Sequence, residues 1–232
     1  MGETIMNVGK RVAGPYVAFH DRADAGRALA AELHTGVEER AVVLALPRGG
    51  VPVGEPLAET LEAPLDVVPV RKLPVPSSPE MGFGAVAIDG TRVLNRPVVD
   101  RLGLSDEEID RIAEEVRQEV ERRAAAYGGT NASPEVRGST AYLVDDGLAT
   151  GFSMIAAARM VSKSRPDRLV LAVPVSPAGS LRAVQPYFQE VHCLIVQEGP
   201  PFAVASFYED FHDLSDQEVQ TLLARRRGSD SI

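Results

Sequence analysis

Two adjacent aspartates, Asp145 and Asp146, end an apolar run and precede a turn of small residues in the segment AYLVDDGLATGFS (141–153). Carboxylates accept hydrogen bonds from sugar hydroxyls, and the free N–H groups at a helix start bind anions with help from the helix dipole. The pattern therefore predicts a ligand that carries both a polyol and a phosphate, the phosphate being held by residues 147–153. The alternative interpretation is a solvated strand end in which one aspartate caps the next turn.

Short apolar runs recur along the chain and lack strict alternation, which is typical of strands buried on both faces of a parallel sheet. These runs are AVVLAL (41–46), LDVVPV (65–70), AYLV (141–144), RLVLAVPV (168–175) and VHCLIV (191–196). Helical patterns separate most of them and lie at residues 21–34, 51–62, 105–127, 151–164 and about 179–186. The alternation predicts an α/β fold with a doubly wound, mainly parallel five-stranded sheet and right-handed crossovers.

One stretch between the predicted strands is rich in proline and glycine: KLPVPSSPEMGFGAVAIDG (72–90). It is too long for a simple turn, and loops of this length tend to be mobile lids or binding loops. We therefore expect a flexible loop over about residues 72–90. No internal repeat or low-complexity segment divides the sequence, so residues 1–232 are expected to form a single domain.

Charge and composition argue against several classes of protein. A net charge of -9 is unfavourable for a nucleic-acid binder, whose phosphate contacts need a basic face. No apolar stretch approaches the roughly 20 residues that span a bilayer, and the N-terminus lacks the apolar region of a signal peptide. We therefore expect a soluble cytoplasmic protein that binds neither nucleic acid nor membrane. Cys193 lies in an apolar run, which predicts a buried and inert thiol.

The segment AYLVDDGLATGFS resembles the phosphoribosyl-pyrophosphate motif of type I phosphoribosyltransferases: a hydrophobic strand, two acids, small residues and Thr-Gly. Phe152 departs from the small residue that usually follows Thr-Gly. The resemblance implies that the two aspartates hold the ribose hydroxyls, or a Mg²⁺ ion directly or through its water shell, and that the loop holds the 5-phosphate. The residues assigned to binding in this motif are Asp145, Asp146, Gly147, Leu148, Ala149, Thr150, Gly151, Phe152 and Ser153.

A second motif lies about a hundred residues earlier, where ALPRGGVPVG (45–54) joins a predicted buried strand to a helix through a glycine pair. It resembles the short pyrophosphate loop of the same family. The resemblance implies that Arg48 contacts pyrophosphate oxygens and that the amides of Gly49 and Gly50 form a nest for the anion. It also implies a cis peptide bond between Pro47 and Arg48.

The resemblance covers most of residues 17–223 and extends to a little-characterised group of predicted phosphoribosyltransferases of about this length. Members of the family carry a flexible loop that closes over the active site, and the stretch at about 72–90 has the corresponding position. Arg71 and Lys72 lie at its base, where ordinary surface charge is the alternative interpretation. Arg71 is assigned to binding, and the residues assigned to catalysis are Asp145, Asp146, Arg48 and Lys72.

Aromatic residues cluster in GPPFAVASFYEDFHDLSD (199–216), after the last predicted strand. This segment resembles the hood of purine phosphoribosyltransferases, and we expect a hood over about residues 198–214. The resemblance assigns Phe202 and Phe207 to the acceptor, with Phe202 stacked on a flat ring. For Phe211 we favour a position in the core beneath the loop.

The same resemblance bears on the chemistry of the acceptor. Glu209 or Asp210 takes the place of an acid that lies near Mg²⁺ and pyrophosphate in the purine enzymes. Those enzymes also place a lysine in the preceding strand region to read a ring oxygen, whereas RLVLAVPVSP (168–177) has none. We therefore expect that the acceptor is neither hypoxanthine nor guanine.

The resemblance implies transfer of phosphoribose from 5-phosphoribosyl 1-pyrophosphate to a nitrogenous acceptor, with release of pyrophosphate, Mg²⁺ as the cofactor and a homodimer as the assembly. Whether Asp146 also acts as a general base stays open. One alternative is a regulatory protein that keeps the fold and binds the phosphorylated sugar without transfer. Another is an unrelated α/β nucleotide binder, in which the two loops would lie on opposite sides of the sheet.

Overall fold

The computed structural model of the protein describes residues 4–33, 40–76, 78–127 and 136–229. Its strands are β1 (Ile5–Val12), β2 (Ala41–Ala45), β3 (Leu65–Val67), β4 (Val70–Val75), β5 (Ser78–Ala87), β6 (Arg92–Leu94), β7 (Thr140–Val144), β8 (Arg168–Pro177) and β9 (Glu190–Gln197). Its helices are α1 (Arg22–Leu33), α2 (Gly50–Thr60), α3 (Arg96–Leu102), α4 (Asp106–Tyr127), α5 (Phe152–Ser162), α6 (Ala178–Val184) and α7 (Asp216–Ser229).

Six strands form one parallel sheet in the order β1-β9-β8-β7-β2-β3. All five apolar runs of the sequence contribute a strand to it, and helices α1, α2, α4, α5 and α6 begin and end within a few residues of the predicted helical patterns. The expected α/β class is confirmed. The sheet has a sixth strand, β1, which was not predicted because most of its residues are exposed and form no apolar run.

The large sheet is covered on both faces, which explains the continuous apolar character of its strands. In β2, Val42 and Leu44 face a core that includes residues of α5 and α6. Their neighbours Val43 and Ala45 face a second core with residues of α1, α2 and α7. Successive side chains of a strand point to opposite faces, so a strand buried on both sides has to be apolar at every position.

The stretch predicted as a long loop, about residues 72–90, instead lies largely in strands β4 and β5 of a second, antiparallel sheet, β4-β5-β6. The prolines and glycines of this stretch hide the alternating pattern of its strands in the sequence. In the structure the register between the two strands shifts around Pro74, and this shift accommodates the proline. Leu73, Val75 and Phe83 are buried against α3 and α4. Residue 77 lies outside the described residues.

No helix in the described part of the chain is long and apolar enough to cross a membrane. Cys193 is buried in strand β9, as expected, and burial raises the pKa of its thiol to about 12. A thiol with so high a pKa carries almost no thiolate at neutral pH, which agrees with an inert core residue.

The second sheet depends on one large side chain, Phe83, which is fully buried in the core between β5 and helices α3 and α4. We expect Phe83→Ala to lower the free energy of unfolding by about 3–5 kcal/mol, since the change leaves a cavity in addition to the lost burial. Chemical denaturation measures this change. Met81→Ala on the same strand is the control, because Met81 is 57% exposed and its truncation should alter stability little. Equal losses in the two variants would contradict the packing described here.

Candidate functional site

The two predicted loops lie side by side, because the strands that carry them are neighbours. β2 and β7 pair in parallel, with Ala45 opposite Val144, and the Leu46 amide donates to the Val144 carbonyl at 2.9 Å. The loops that follow these strands therefore leave the same edge of the sheet, where ligands of open α/β sheets bind. This arrangement contradicts the alternative interpretation as an unrelated nucleotide binder, in which the two loops would lie on opposite sides of the sheet.

The loop after β2 has the backbone that the resemblance implied, since the Pro47–Arg48 peptide bond is cis. The Arg48 side chain is half-exposed and lies 3.7 Å from Asp216 Oδ1 at the start of α7. Asp216 also accepts a hydrogen bond from the Tyr127 hydroxyl of α4. The contact between Arg48 and Asp216 is long and therefore weak, so an incoming anion can replace it.

Gly49 lies directly against the carboxylate of Asp146. A Cβ atom built on Gly49 would come within 2.0 Å of Asp146 Oδ2, a distance that no side chain tolerates. Only glycine lets the first loop approach the aspartate of the second loop this closely. The glycine pair and the acidic pair, about a hundred residues apart in sequence, are therefore parts of one packed unit.

The loop after β7 leads into the N-terminus of α5. The first bond of the helix runs from the Ile155 amide to the Gly151 carbonyl at 2.9 Å, so the amides of Phe152 and Ser153 have no carbonyl partner inside the helix. Thr150 is exposed beside them. These donors, at the positive end of the helix dipole, form a suitable site for a phosphate.

Not every residue assigned to this loop presents a free donor. Leu148 is buried, and its amide donates to the Val175 carbonyl at 2.9 Å, so this N–H is already paired within the protein. Ala149 is exposed and its carbonyl accepts a bond from the Ser180 hydroxyl at 2.6 Å. Gly147 is buried against Val204, and its role is to allow close packing.

Asp145 and Asp146 are only slightly exposed, which disagrees with the interpretation as a solvated strand end. Asp145 Oδ1 accepts the Asp146 amide at 2.9 Å and so caps the turn. Burial raises the pKa of the Asp145 carboxyl well above its ordinary value, and the adjacent charge of Asp146 raises it further. Burial also raises the pKa of Asp146, against the opposing effect of Arg22. Both carboxylates are costly to bury, which is common at functional sites.

Arg22, the first residue of α1, is the partner of Asp146, and no pattern in the sequence indicated it. Its side chain is 9% exposed, and its Nε donates to Asp146 Oδ2 at 2.8 Å. Its Nη1 donates to the His212 carbonyl at 2.9 Å, and its guanidinium lies 3.8 Å from the centre of the Phe211 ring. Tyr208, also missed, donates its hydroxyl to the Asp146 carbonyl at 2.7 Å.

The segment expected to form a hood, residues 198–214 and called the hood below, packs against this unit. Phe207 was assigned to the acceptor, but its side chain is fully buried between Tyr16 and Phe202 and offers no surface to a ligand. Its burial follows from its place in the apolar core beneath the hood. Phe202 is partly exposed. Phe211 lies partly buried at that core, in agreement with the expectation for it.

The acids of the hood are engaged with histidines. Glu209 Oε2 lies 3.0 Å from His20 Nδ1, and Asp210 Oδ1 lies 3.0 Å from His212 Nδ1. These four side chains are exposed and link the hood to the segment before α1 and, through His212, to α7. Each contact uses one carboxylate oxygen, so the second oxygen of either acid can still accept a hydrogen bond from a ligand.

The two basic residues of β4 differ in their surroundings. Arg71 pairs with Glu119 of α4, and it lines a small cavity together with Arg48. Lys72, the next residue, is exposed, and its side chain lies beside Gly82 of β5. The structure therefore brings Arg71 close to the first loop and leaves Lys72 on the surface of the second sheet.

The carboxylate oxygens at this edge of the sheet suit Mg²⁺ better than a metal ion that is held by protein ligands alone. Among the described residues there is no group of three or more histidine, cysteine, aspartate or glutamate side chains that could hold a metal by themselves. Two adjacent carboxylates, Asp145 and Asp146, fit an ion that takes oxygen ligands, keeps several waters and is shared with substrate phosphates.

Comparison with known proteins agrees with this geometry. The family described as "Phosphoribosyl transferase domain" matches residues 15–211. Two curated proteins from strains of Mycobacterium tuberculosis, each named "Putative phosphoribosyl transferase", are 42% identical to this chain over 207 residues. The match covers 89% of this chain and 46% of those proteins, so the chain spans about half the length of these relatives.

A solved structure is similar over almost its whole length. TT1426 from Thermus thermophilus shares 36% identity and aligns with a TM-score of 0.72, covering 90% of this chain and 99% of that chain. The sheet, the paired loops and these matches define the class: the chain belongs to the type I phosphoribosyltransferase family.

The contact between Gly49 and Asp146 can be tested by adding one methyl group. Gly49→Ala would bring its Cβ into steric overlap with Asp146 Oδ2, so we expect the free energy of unfolding to fall by about 1–3 kcal/mol. Urea denaturation measures the loss. Gly179→Ala is the matched control, because nothing lies within 4 Å of the added Cβ there. An unfolding midpoint for Gly49→Ala that equals the wild-type value would contradict a fixed Asp146 carboxylate in contact with Gly49.

The histidine contacts of the hood predict a pH effect. Hydrogen bonds to Asp210 and then Glu218 raise the pKa of His212 above its ordinary value of 6.5. The charged imidazole therefore stabilises the fold below pH 6.5, and this stabilisation is lost as the pH rises through the raised pKa. NMR titration should show that raised value, and Glu218→Gln should lower it. Glu209→Gln is the control, because it should shift His20 and leave His212 unchanged.

Proposed function

We propose that the protein is a phosphoribosyltransferase that binds 5-phosphoribosyl 1-pyrophosphate with Mg²⁺ and transfers phosphoribose to a nitrogenous acceptor, releasing pyrophosphate. The observation that carries the proposal is the contact between the two loops: the Gly49 loop and the Asp146 loop meet at the carboxyl ends of β2 and β7. One loop offers donors for a pyrophosphate. The other offers carboxylates for ribose and a helix N-terminus for the 5-phosphate.

Each part of the substrate has a matching group. The 5-phosphate binds the free amides at the start of α5, together with the Thr150 hydroxyl. The ribose hydroxyls donate to the Asp145 and Asp146 carboxylates. The pyrophosphate binds Arg48, which exchanges its distant contact with Asp216 for a charge-assisted hydrogen bond to the anion. We also place Arg71 near this anion, because it lines the same cavity as Arg48.

The reaction breaks the bond between ribose C1 and the pyrophosphate oxygen and forms a bond between C1 and an acceptor nitrogen. Positive charge develops on the ribose ring and negative charge on the leaving pyrophosphate. Asp145 and Asp146 stabilise the former, and Arg48 with the loop amides stabilises the latter, so positioning and electrostatics supply the catalysis. Mg²⁺, when bound, would be held by Asp145 and Asp146 and would supply positive charge that stabilises the leaving pyrophosphate.

The acceptor and the assembly complete the proposal. We assign the acceptor to the side of the hood, where Phe202 is partly exposed and can stack on a flat heterocycle. Phe207 has no part in this contact, since it is buried. We propose that the exposed side chains Lys72, Glu209 and Asp210 contact bound substrate, and Asp210 lines a cavity together with Arg22. A homodimer is proposed from the family resemblance.

The proposal is tested by calorimetric titration of the protein with 5-phosphoribosyl 1-pyrophosphate in the presence and absence of Mg²⁺. We expect Mg²⁺-dependent binding that Asp145→Asn weakens by about 1–3 kcal/mol, the scale for a hydrogen bond to a charged group. The fold should tolerate this change, because asparagine keeps the shape and removes one of two crowded charges. Asp89→Asn, at a surface pair with Lys163, is the control and should bind as the wild type does.

Transfer itself is measured as pyrophosphate release with a panel of nitrogenous heterocycles and amines that includes hypoxanthine and guanine. We expect release with an acceptor other than these two purines. Tight binding of the phosphorylated sugar with no release for any acceptor would instead favour the regulatory alternative, and absence of binding would refute the proposal.

A further inference from the structure

The Asp146 carboxylate is held from outside the two loops by a buried guanidinium. We propose that Arg22 is a positioning residue, which fixes the Asp146 carboxylate between the loops so that Oδ1 faces the ligand, and which links this aspartate to the hood. The inference rests on the proposed function, because it names the residue that orients one of the substrate-binding acids.

The two carboxylate oxygens of Asp146 have different hydrogen-bond partners. Oδ2 accepts the Arg22 Nε–H at 2.8 Å, and it is the oxygen nearer to Gly49: a Cβ atom built there would lie 2.0 Å from Oδ2 and 3.0 Å from Oδ1. In the part of the chain that the structure describes, Oδ1 accepts no hydrogen bond from another residue, and it is the oxygen left for a hydroxyl, a water or a metal ion. Since the Arg22 side chain is 9% exposed, solvent competes little for this bond and the orientation of the carboxylate is well defined.

Arg22 is itself fixed by contacts that do not involve Asp146. Its Nη1 donates to the His212 carbonyl at 2.9 Å, and its guanidinium lies 3.8 Å from the centre of the Phe211 ring. The planar fork of arginine can make all of these contacts at once, which the ammonium of lysine cannot. The start of α1 that carries Arg22 is capped, since Asp21 Oδ1 accepts the Asp24 amide at 2.7 Å.

Two separate connections join the hood to Asp146. In the first, Arg22 donates hydrogen bonds to both the His212 carbonyl and the Asp146 carboxylate. The second is the 2.7 Å hydrogen bond from the Tyr208 hydroxyl to the Asp146 carbonyl. A buried ion pair is weak support for stability, because desolvation of the charges offsets their attraction. A role in orientation explains the pair better, since it connects the element proposed to cover the acceptor with the acid proposed to hold the ribose.

The test compares Arg22→Met, Asp146→Asn and the double variant with the wild type. Calorimetry gives the dissociation constant for 5-phosphoribosyl 1-pyrophosphate with Mg²⁺, and thermal unfolding gives stability. We expect Arg22→Met to weaken binding by about 10–100-fold, the scale for loss of a residue that orients a ligating group. If Arg22 acts through Asp146, the double variant should bind no more weakly than Asp146→Asn alone.

Two further variants separate orientation from folding. Arg22→Lys keeps the charge and should recover part of the affinity that Arg22→Met loses. Arg226→Met is the control, because Arg226 is also partly buried but donates to the carbonyls of Ala58 and Ala63, away from Asp146. It should bind as the wild type does. If Arg22→Met does not fold, the affinity of the double variant can still be compared with that of Asp146→Asn, since removing both charges leaves no unpaired buried ion.

The outcomes that overturn the inference differ from the one that overturns the proposed function. Wild-type affinity in Arg22→Met, or losses in the two single variants that add in the double variant, would show that Arg22 does not act through Asp146. Absence of binding by the wild-type protein would refute the proposed function instead. Crystal structures of wild type and Arg22→Met then decide the positioning role, and an Asp146 carboxylate in the same place in both would overturn it.

Discussion

The Asp146 carboxylate is the point where the parts of this molecule meet. It touches Gly49 of one loop, belongs to the other loop, and is bonded through Arg22 to the start of α1 and to the hood. Burial raises the pKa of this carboxyl, and Arg22 beside it lowers that pKa, so the guanidinium favours the charged form. Arg22 in turn contacts the His212 carbonyl and the Phe211 ring.

The parallel sheet supplies the second constraint. Parallel neighbours end at the same edge, so the pairing of β2 with β7 brings their following loops together regardless of the roughly hundred residues between them. Covering both faces of the sheet makes its strands rigid and apolar, and leaves the edge as the place where polar groups meet water. The chemistry of the site is therefore confined to the loops, while the helices serve to hold the strands in register.

The sequence was sufficient for those features that depend on local pattern. Five strands could be predicted because burial on both faces produces continuous apolar runs, and the cis bond before Arg48 followed from a resemblance carried by a short motif. The second sheet was not predicted, because proline and glycine residues such as those around Pro74 are typical of loops. A register shift accommodates them in the paired strands.

Sequence patterns do not predict contacts between side chains that are far apart in the chain. Arg22 and Asp146 are 124 residues apart, and nothing in the residues around Arg22 distinguishes it from a surface arginine at a helix start. Phe207 was misassigned for a related reason: an aromatic residue in a loop can face a ligand or a core, and only the packing of Tyr16 and Phe202 around it decides between them.

Strand β1 has a consequence for how the protein behaves at high concentration. It is the last strand of the large sheet, pairs only with β9 among the described strands, and is mostly exposed along its eight residues. An open strand edge is a template for addition of a strand from another chain, and charged side chains on such a strand oppose this addition. Lys10 and Arg11 supply that protection, so neutralising them would favour self-association through edge-to-edge β-pairing without disturbing the loops after β2 and β7, which β9 and β8 separate from β1.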